Sequence, residues 1–237
     1  MNLPPEPLPP AAQQSGPDLR PWLAAMLLAA LGSTAGSTFG WLSLYYVAKP
    51  LAMGVAMAFV AARAIFAGPV ARFDVWLLLA LAASMAGDVF LMLPGNYFIP
   101  GLASFLLAHL FYIAMLRQDA PWFASRAGLL ATLGFGALMY LLLWAGLKDP
   151  VLKVAVAAYV TVIGLMAAQA IGRASVLRRR GATLVALGGC IFMLSDTLIA
   201  INRFVQPVPL SALWILGTYY AAQMLIVVNA RPGPALD

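Results

Sequence analysis

The 237-residue sequence contains one cysteine, Cys190, and one histidine, His109. A single cysteine excludes a disulfide within the chain and a zinc site built on several cysteines, and a single histidine excludes a multi-histidine metal cluster. Charge is also scarce, because only 9% of the residues are charged, against roughly a quarter in a typical soluble domain. These shortages exclude a water-soluble globule and give metal catalysis little support.

Hydrophobic residues dominate what is present. They make up 63% of the chain, and the mean hydropathy is +0.92. Charges, prolines and glycines divide the sequence into apolar stretches of about 20 residues, each long enough to cross roughly 30 Å of hydrocarbon as a helix. Eight spans are predicted, at residues 22–40, 43–62, 73–93, 97–117, 124–146, 151–172, 182–201 and 210–229. The predicted fold class is therefore an all-α membrane protein with eight transmembrane helices.

The two ends of the chain differ from this apolar body. Residues 1–20 hold six prolines among polar residues, which predicts a disordered Pro-rich tail and not a signal peptide. Residues 21–230 then form the eight-helix domain, and residues 231–237 form a short second tail. With no cleavable targeting segment recognised, we expect a multi-pass protein of the bacterial inner membrane.

Lysine and arginine are distributed unevenly between the predicted loops. Ten arginines fall on the side of the N-terminus: Arg20, Arg63, Arg72, Arg117, Arg126, Arg173, Arg178, Arg179, Arg180 and Arg231. Only Lys148, Lys153 and Arg203 fall on the other side. Since cytoplasmic loops carry the excess of positive charge, both termini are predicted to be cytoplasmic. The basic balance is then a consequence of topology, and no nucleic-acid partner is expected.

A weak internal repeat links the two halves of the sequence. A shift of 108 residues places Asp88 on Asp196 and Tyr112 on Tyr220. In both stretches a helix with an embedded aspartate is followed by a short Pro-containing turn and a helix with a tyrosine 24 residues after the aspartate. This pattern predicts two parallel four-helix repeats whose aspartates face one another.

The two aspartates are also predicted to share a depth in the membrane. At about 1.5 Å per residue, Asp88 and Asp196 lie roughly 21–23 Å from the cytoplasmic side. Lys49 falls at a similar level. A charged side chain inside a membrane helix is costly unless it is paired or hydrated, so these three are functional candidates. The alternative is a structural salt bridge, but one lysine neutralises only one aspartate, and the other then tends to keep its proton.

An ionised and a protonated carboxyl together form the pair that general acid–base catalysis needs. Supporting or substrate-binding roles are predicted for further polar residues: His109, Tyr112, Asn202, Arg203, Tyr219, Tyr220 and Gln223. Arg203 shares a helix face with Asp196 and can meet a phosphate at the outer rim, or serve only as an interfacial anchor. A lone buried histidine such as His109 is more often a hydrogen-bonded core residue than a catalyst. Motifs of serine hydrolases, P-loop proteins and zinc proteases do not occur.

Four segments carry a family resemblance. They are Tyr46–Leu51, Ser84–Leu93 together with His109–Tyr112, Phe192–Asp196 continuing to Phe204, and Thr218–Gln223. In order and spacing over residues 22–229 they resemble the YhhN-like lysoplasmalogenase family. The resemblance implies an eight-helix membrane hydrolase that cleaves the vinyl ether bond of lysoplasmalogens, releasing a fatty aldehyde and a glycerophospho-ethanolamine or -choline.

That chemistry fits the residues. A vinyl ether hydrolyses after protonation of its β-carbon, so it needs a protonated carboxyl, an anion beside the developing cation and an apolar groove. Asp88 and Asp196 are the expected catalytic pair, with Lys49 keeping one of them ionised, and with no metal or organic cofactor. The chief alternative is a proton-coupled transporter or exporter of a lipid-like or small substrate. A third is a non-catalytic lipid-binding protein or scaffold.

Overall fold

The computed structural model describes residues 18–233, and within them the chain forms eight α-helices. Their bounds are α1 Leu19–Phe39, α2 Leu42–Phe66, α3 Arg72–Met92, α4 Phe98–Leu116, α5 Arg126–Leu143, α6 Pro150–Leu177, α7 Arg180–Phe204 and α8 Ser211–Asn229. All eight are long and apolar enough to cross a membrane. The prediction of an all-α, eight-helix membrane protein is confirmed.

The predicted spans agree with these helices to within three residues at nearly every end. The exceptions are the C-terminal ends of α2 and α6, which reach Phe66 and Leu177 where residues 62 and 172 were predicted. Most of the predicted Pro-rich tail, residues 1–17, and the last four residues of the chain lie outside the described residues. Asp18 caps the start of α1 by accepting a hydrogen bond from the amide of Arg20 at 3.0 Å.

Short connections join the helices into four antiparallel hairpins: α1–α2, α3–α4, α5–α6 and α7–α8. Packing contacts continue from α2 to α3, from α4 to α6 and from α6 to α7, and α8 returns to α1. Seven helices therefore form a closed circuit, and α5 packs on its outside against α6 and α7. The two halves close differently, since α8 meets α1 whereas α4 meets α6. The parallel repeat stays a prediction.

Small residues set how closely the hairpins approach. A Cβ atom on Gly36 of α1 would come within 2.7 Å of the backbone nitrogen of Tyr45 on α2. On α3, a Cβ atom on Gly87 would come within 2.5 Å of the Phe105 ring of α4. Because Gly87 precedes Asp88, the close approach of these helices also holds that aspartate inside the bundle.

We call the end of the bundle where α1 begins the basic end, and the opposite end the site end. At the basic end two arginines are buried in ion pairs. Arg63 contacts Asp74 at 2.5 Å and donates to the carbonyl of Val227 at 3.1 Å. Arg173 holds Asp119 through two hydrogen bonds of 2.6 and 2.7 Å. Two of the ten arginines that predicted the topology are therefore locked within the protein.

Hydrogen bonds hold the segment after α8 against the basic end. Arg173 and Arg179 both donate to the carbonyl of Arg231, at 2.7 and 2.9 Å. The amide of Gly233 donates to Asp119 at 2.5 Å. Burial, with the positive charge of Arg63 nearby, lowers the pKa of Arg231 to about 10. Charged side chains and backbone groups are thus linked by hydrogen bonds across the basic end.

Candidate active site

An apolar pocket lies near the site end, between α4, α5, α6 and α7. Its empty space, open mouth included, is about 790 Å³. Phe98, Phe105, Met139 and Phe204 are among the apolar side chains that line it. Asp196 is the one ionisable carboxyl among the described residues that line it. The pocket therefore presents an acid to an apolar ligand.

Two residues hold Asp196 in place. The phenol of Tyr159 on α6 donates a short hydrogen bond to Oδ2 of Asp196. On α4, Nε2 of His109 lies 3.0 Å from the Tyr159 oxygen and 3.5 Å from Oδ2 of Asp196. The imidazole is fully buried, whereas the Asp196 side chain is 12% exposed. Three helices thus converge on one carboxyl that still faces the pocket.

Asp88 has different partners. Lys49 of α2 contacts its Oδ1 at 3.2 Å, and Tyr219 of α8 donates to its Oδ2 at 2.6 Å. Lys49 also donates to the phenol oxygen of Tyr45 at 3.3 Å. The side chains of Lys49 and Asp88 are only 5% and 3% exposed. The lysine therefore neutralises Asp88, and the two form a closed ion pair between α2 and α3.

Further candidate residues extend the Asp88 side. Gln223 donates to the phenol oxygen of Tyr219 at 3.4 Å and accepts a hydrogen bond from Tyr112 at 2.6 Å. Tyr220, one residue after Tyr219, turns towards α1 and donates to Ser33 at 2.8 Å. The structure therefore brings Tyr112, Tyr219 and Gln223 together with Asp88, and places Tyr220 in a separate contact.

Aromatic rings lie where the two aspartate clusters meet. The ring centroid of Phe192 is 4.9 Å from that of His109 and 5.5 Å from that of Tyr219. Within residues 18–233, Asp88 and Asp196 share no hydrogen-bond partner. The two aspartates therefore lie in two hydrogen-bonded clusters that are joined through an aromatic contact, and their facing one another stays a prediction.

Arg203 lies at the rim of the pocket. Its guanidinium carbon is 4.2 Å from the centroid of the Phe98 ring and 5.8 Å from that of Phe204, and both rings line the pocket. The side chain is exposed. Asn202 fixes the following turn, because its Oδ1 accepts a hydrogen bond from the amide of Val208 at 2.9 Å. An exposed cation therefore stands over the entrance.

Comparison with known sequences identifies the family to which this chain belongs. The sequence model of the YhhN family matches residues 44–230. The chain belongs to the YhhN family. The resemblance seen in the sequence is thereby confirmed, and the matched region contains both aspartate clusters. No solved structure matches the chain.

Several proteins of similar sequence carry an activity in their names. Human lysoplasmalogenase TMEM86A is 35% identical over 157 residues, which cover 63% of this chain and 62% of the human protein. Pig lysoplasmalogenase TMEM86B is 36% identical over 159 residues, or 66% and 64% of the two chains. Mycobacterium bovis lysoplasmalogenase is 33% identical over 184 residues, or 75% and 69%. The chain spans a little under two thirds of the length of the mammalian relatives.

Tyr159 is the main residue of this YhhN-family site that the sequence reasoning missed. It lies nine residues after Pro150 at the site end of α6, and Asp196 lies eight residues before Phe204 at the site end of α7. At about 1.5 Å per residue both are about 12–14 Å from that end. The depth comparison that selected the aspartates therefore also selects this tyrosine. Within residues 18–233, no three side chains of the Asp, Glu, His or Cys types are placed to share a metal ion.

Proposed function

We propose that this YhhN-family protein hydrolyses the vinyl ether bond of lysoplasmalogens to a fatty aldehyde and a glycerophospho-ethanolamine or -choline. The relatives named lysoplasmalogenase support the substrate class. The observation that carries the chemistry is the position of Asp196. Its carboxyl lines an apolar pocket and accepts a hydrogen bond from Tyr159. A single-chain lipid with a reactive ether near its head group suits that pocket.

Asp196 is the acid of the first step. The proposed step uses the protonated form of this carboxyl, and the buried lysine, Lys49, pairs with the other aspartate, Asp88. It gives its proton to the β-carbon of the vinyl ether, and the double-bond electrons form the new C–H bond. The product is an oxocarbenium ion on the α-carbon. The carboxylate left on Asp196 then stabilises that cation, and Tyr159 stabilises the carboxylate.

Water completes the reaction. It adds to the α-carbon of the oxocarbenium ion, and Asp196 accepts the proton that the water loses. This step forms a hemiacetal and restores the acid. Collapse of the hemiacetal breaks the bond between the α-carbon and the glycerol oxygen. The hemiacetal hydroxyl loses its proton as the aldehyde forms, and the glycerol oxygen gains one and leaves as the alcohol. His109 keeps Tyr159 directed at Asp196 throughout.

Asp88 is a positioning residue in this proposal. Its ion pair with Lys49 carries no net charge and lies outside the set of residues that line the pocket. Through Tyr219 it fixes a ring that packs at 6.0 Å against Phe105 in the pocket wall. The two aspartates therefore have different roles: Asp196 touches the substrate, and Asp88 acts through the packing of α2, α3 and α8.

Arg203 binds the phosphate, with Asn202 beside it. Asp196 and Arg203 are seven residues apart on one face of α7, which corresponds to about 10 Å along the helix. In the substrate, seven bonds separate the phosphorus from the β-carbon, and an extended chain of that length spans about 8 Å. The remaining distance is taken up by the contacts at either end. The spacing of acid and cation thus fits the distance between the two groups that they serve.

Aldehyde release tests the proposal. Purified protein in detergent is mixed with a lysoplasmalogen, and the aldehyde is measured for the wild type, for Asp196→Asn, and for Thr197→Val as a control in the same pocket wall. Release by the wild type and the control, with loss in a folded Asp196→Asn, supports the enzyme. No aldehyde from folded wild type contradicts it, and favours the proton-coupled transporter, which needs no chemical product.

We also propose that the protein lies in a bacterial inner membrane with both termini in the cytoplasm. The support is the excess of arginine at the basic end. In that orientation the pocket and Arg203 lie in the outer half of the membrane, and the substrate is taken from the outer leaflet.

A further inference from the structure

We propose that the hydrocarbon chain of the bound lipid leaves the pocket sideways, between α4 and α5, and lies in the bilayer during the reaction. The inference rests on the proposed function only for the kind of lipid that is bound. It assigns the gap between α4 and α5 as a portal, with Leu102 on α4 and Met139 on α5 in its walls.

The position of Asp196 requires such an exit. On α7 the deepest residue that lines the pocket is Met193, less than one turn below Asp196. On α6 it is Ile163, about one turn below Tyr159. One turn adds about 5.4 Å, whereas a sixteen-carbon chain extends over about 18 Å. Below this level Met166 is buried in the core, so a chain attached at Asp196 cannot continue towards the basic end.

The helix packing leaves one side of the pocket open. Within the described residues α4 packs on α3 and α6, while α5 packs on α6 and α7. Both α4 and α5 line the pocket without packing extensively on each other. Phe135 and Leu142 of α5 line the pocket and are also 38% and 57% exposed. A residue with both properties marks a place where the cavity meets the surrounding lipid.

Small residues on one face of α5 hold this helix against α6. Gly128, Thr132 and Gly136 are spaced by four residues and are buried. A Cβ atom on Gly136 would come within 2.8 Å of Val160, so this face of α5 lies directly on α6. Because the face of α5 that carries these small residues packs on α6, its larger side chains point towards the pocket and the lipid.

The portal has a consequence for specificity. Protein contacts reach the head group through Arg203 and the vinyl ether through Asp196, but only the first part of the chain lies between protein walls. Chains that differ only in their distal carbons therefore meet the same protein surface. We expect turnover to change less than threefold between chains of 14 and 18 carbons presented in the same bilayer.

Photo-crosslinking tests the portal without relying on turnover. The probe is an alkyl-ether lysophosphoethanolamine, which has no vinyl ether to cleave, with a diazirine at the end of its chain. The full-length protein in phospholipid vesicles is irradiated with the probe, with and without excess unlabelled alkyl-ether lysophosphoethanolamine. Adducts that the competitor removes are mapped to residues by mass spectrometry.

The portal predicts that the competed adducts lie on α4 and α5. It also predicts that Met139→Trp reduces them at least fivefold, while Leu141→Trp, on the 70% exposed and lipid-facing side of α5, leaves them unchanged. Competed adducts on α1, α2 or α8, or unchanged labelling in a Met139→Trp protein that melts like the wild type, overturn the portal. Absence of competed adducts also overturns it.

The same preparation separates this result from the proposed function. Aldehyde release from a lysoplasmalogen is measured in parallel. Competed adducts on α4 and α5 without aldehyde release would retain the portal as a lipid-binding feature and reject the hydrolase. Aldehyde release with adducts elsewhere would retain the hydrolase and reject the portal.

Discussion

Tyr159 donates a hydrogen bond to Asp196 at the deep end of an apolar pocket, and the same phenol oxygen lies 3.0 Å from Nε2 of His109. The three side chains come from α6, α7 and α4. Because Oδ2 of Asp196 is held by the phenol, Oδ1 remains for the ligand. Four testable expectations follow from this arrangement and its surroundings, and a fifth concerns the reaction itself.

Removal of the phenol hydroxyl should slow the reaction without unfolding the protein. Tyr159→Phe deletes a hydrogen bond to a group that becomes charged in the reaction, an interaction of about 1.5–3 kcal/mol, so kcat should fall roughly 10- to 100-fold. The KM should change little. Tyr140→Phe, which removes only a bond to the carbonyl of Lys153, is the control. A Tyr159→Phe enzyme with unchanged kcat would remove Tyr159 from the mechanism.

Loss of Arg203 should weaken binding of the phosphate. Arg203→Gln should raise the KM for lysoplasmalogen roughly tenfold or more, since charge-assisted hydrogen bonds are worth about 1.5–3 kcal/mol. A substrate without phosphate, the alkenyl ether of glycerol, should show no such change. The matched control is Lys153→Gln, which removes a cation stacked at 4.0 Å on Trp144 near the same end of the bundle. Equal effects on both substrates would contradict a phosphate contact.

The ion pair between Lys49 and Asp88 should behave as a unit. Lys49→Met or Asp88→Asn alone strands a buried charge, which typically costs about 3–5 kcal/mol, so the unfolding temperature in detergent should fall sharply. The double variant strands no charge and should melt above either single variant. It should also retain more aldehyde release than Asp196→Asn. Strictly additive losses in the double variant would contradict this role.

Cysteine labelling tests the orientation. In a Cys190→Ser background, a single cysteine is introduced by Lys148→Cys at the site end or by Arg126→Cys at the basic end. With both termini in the cytoplasm, a membrane-impermeant maleimide added to intact cells should label the first and not the second. The reverse pattern would invert the topology and move the pocket to the inner leaflet.

Much of the fold could be predicted because hydrocarbon thickness and helix rise fix the length of a span. The helices therefore matched the apolar stretches, and Pro150 and Arg72 lie at or beside the predicted starts of α6 and α3. The side of each helix that faces the pocket could not be read in the same way. Met139 lines the pocket and Leu141 faces outwards, yet both are apolar. Lipid and protein interior both favour apolar side chains, so the sequence does not distinguish the two faces.

Depth arithmetic assigned the polar residues to one level but could not divide them into groups. It placed Asp88, Asp196 and Lys49 together, since it contains no information on which helices are neighbours. The assignment of Lys49 to Asp88 depends on the contact of α2 with α3, and Phe192 packs on one aromatic partner of each aspartate, Tyr219 and His109. Tyr159 was missed because it lies on α6, outside the two stretches that carry the aspartates and the apparent repeat.

The most direct test of the central claim is hydrolysis of a lysoplasmalogen in D₂O, with the aldehyde reduced to the alcohol as it forms. Protonation of the β-carbon by Asp196, whose carboxyl exchanges with solvent, predicts one deuterium on the carbon next to the former aldehyde carbon. Folded Asp196→Asn should form less than one hundredth of this product. Aldehyde without deuterium at that carbon, or normal release by Asp196→Asn, would contradict the account.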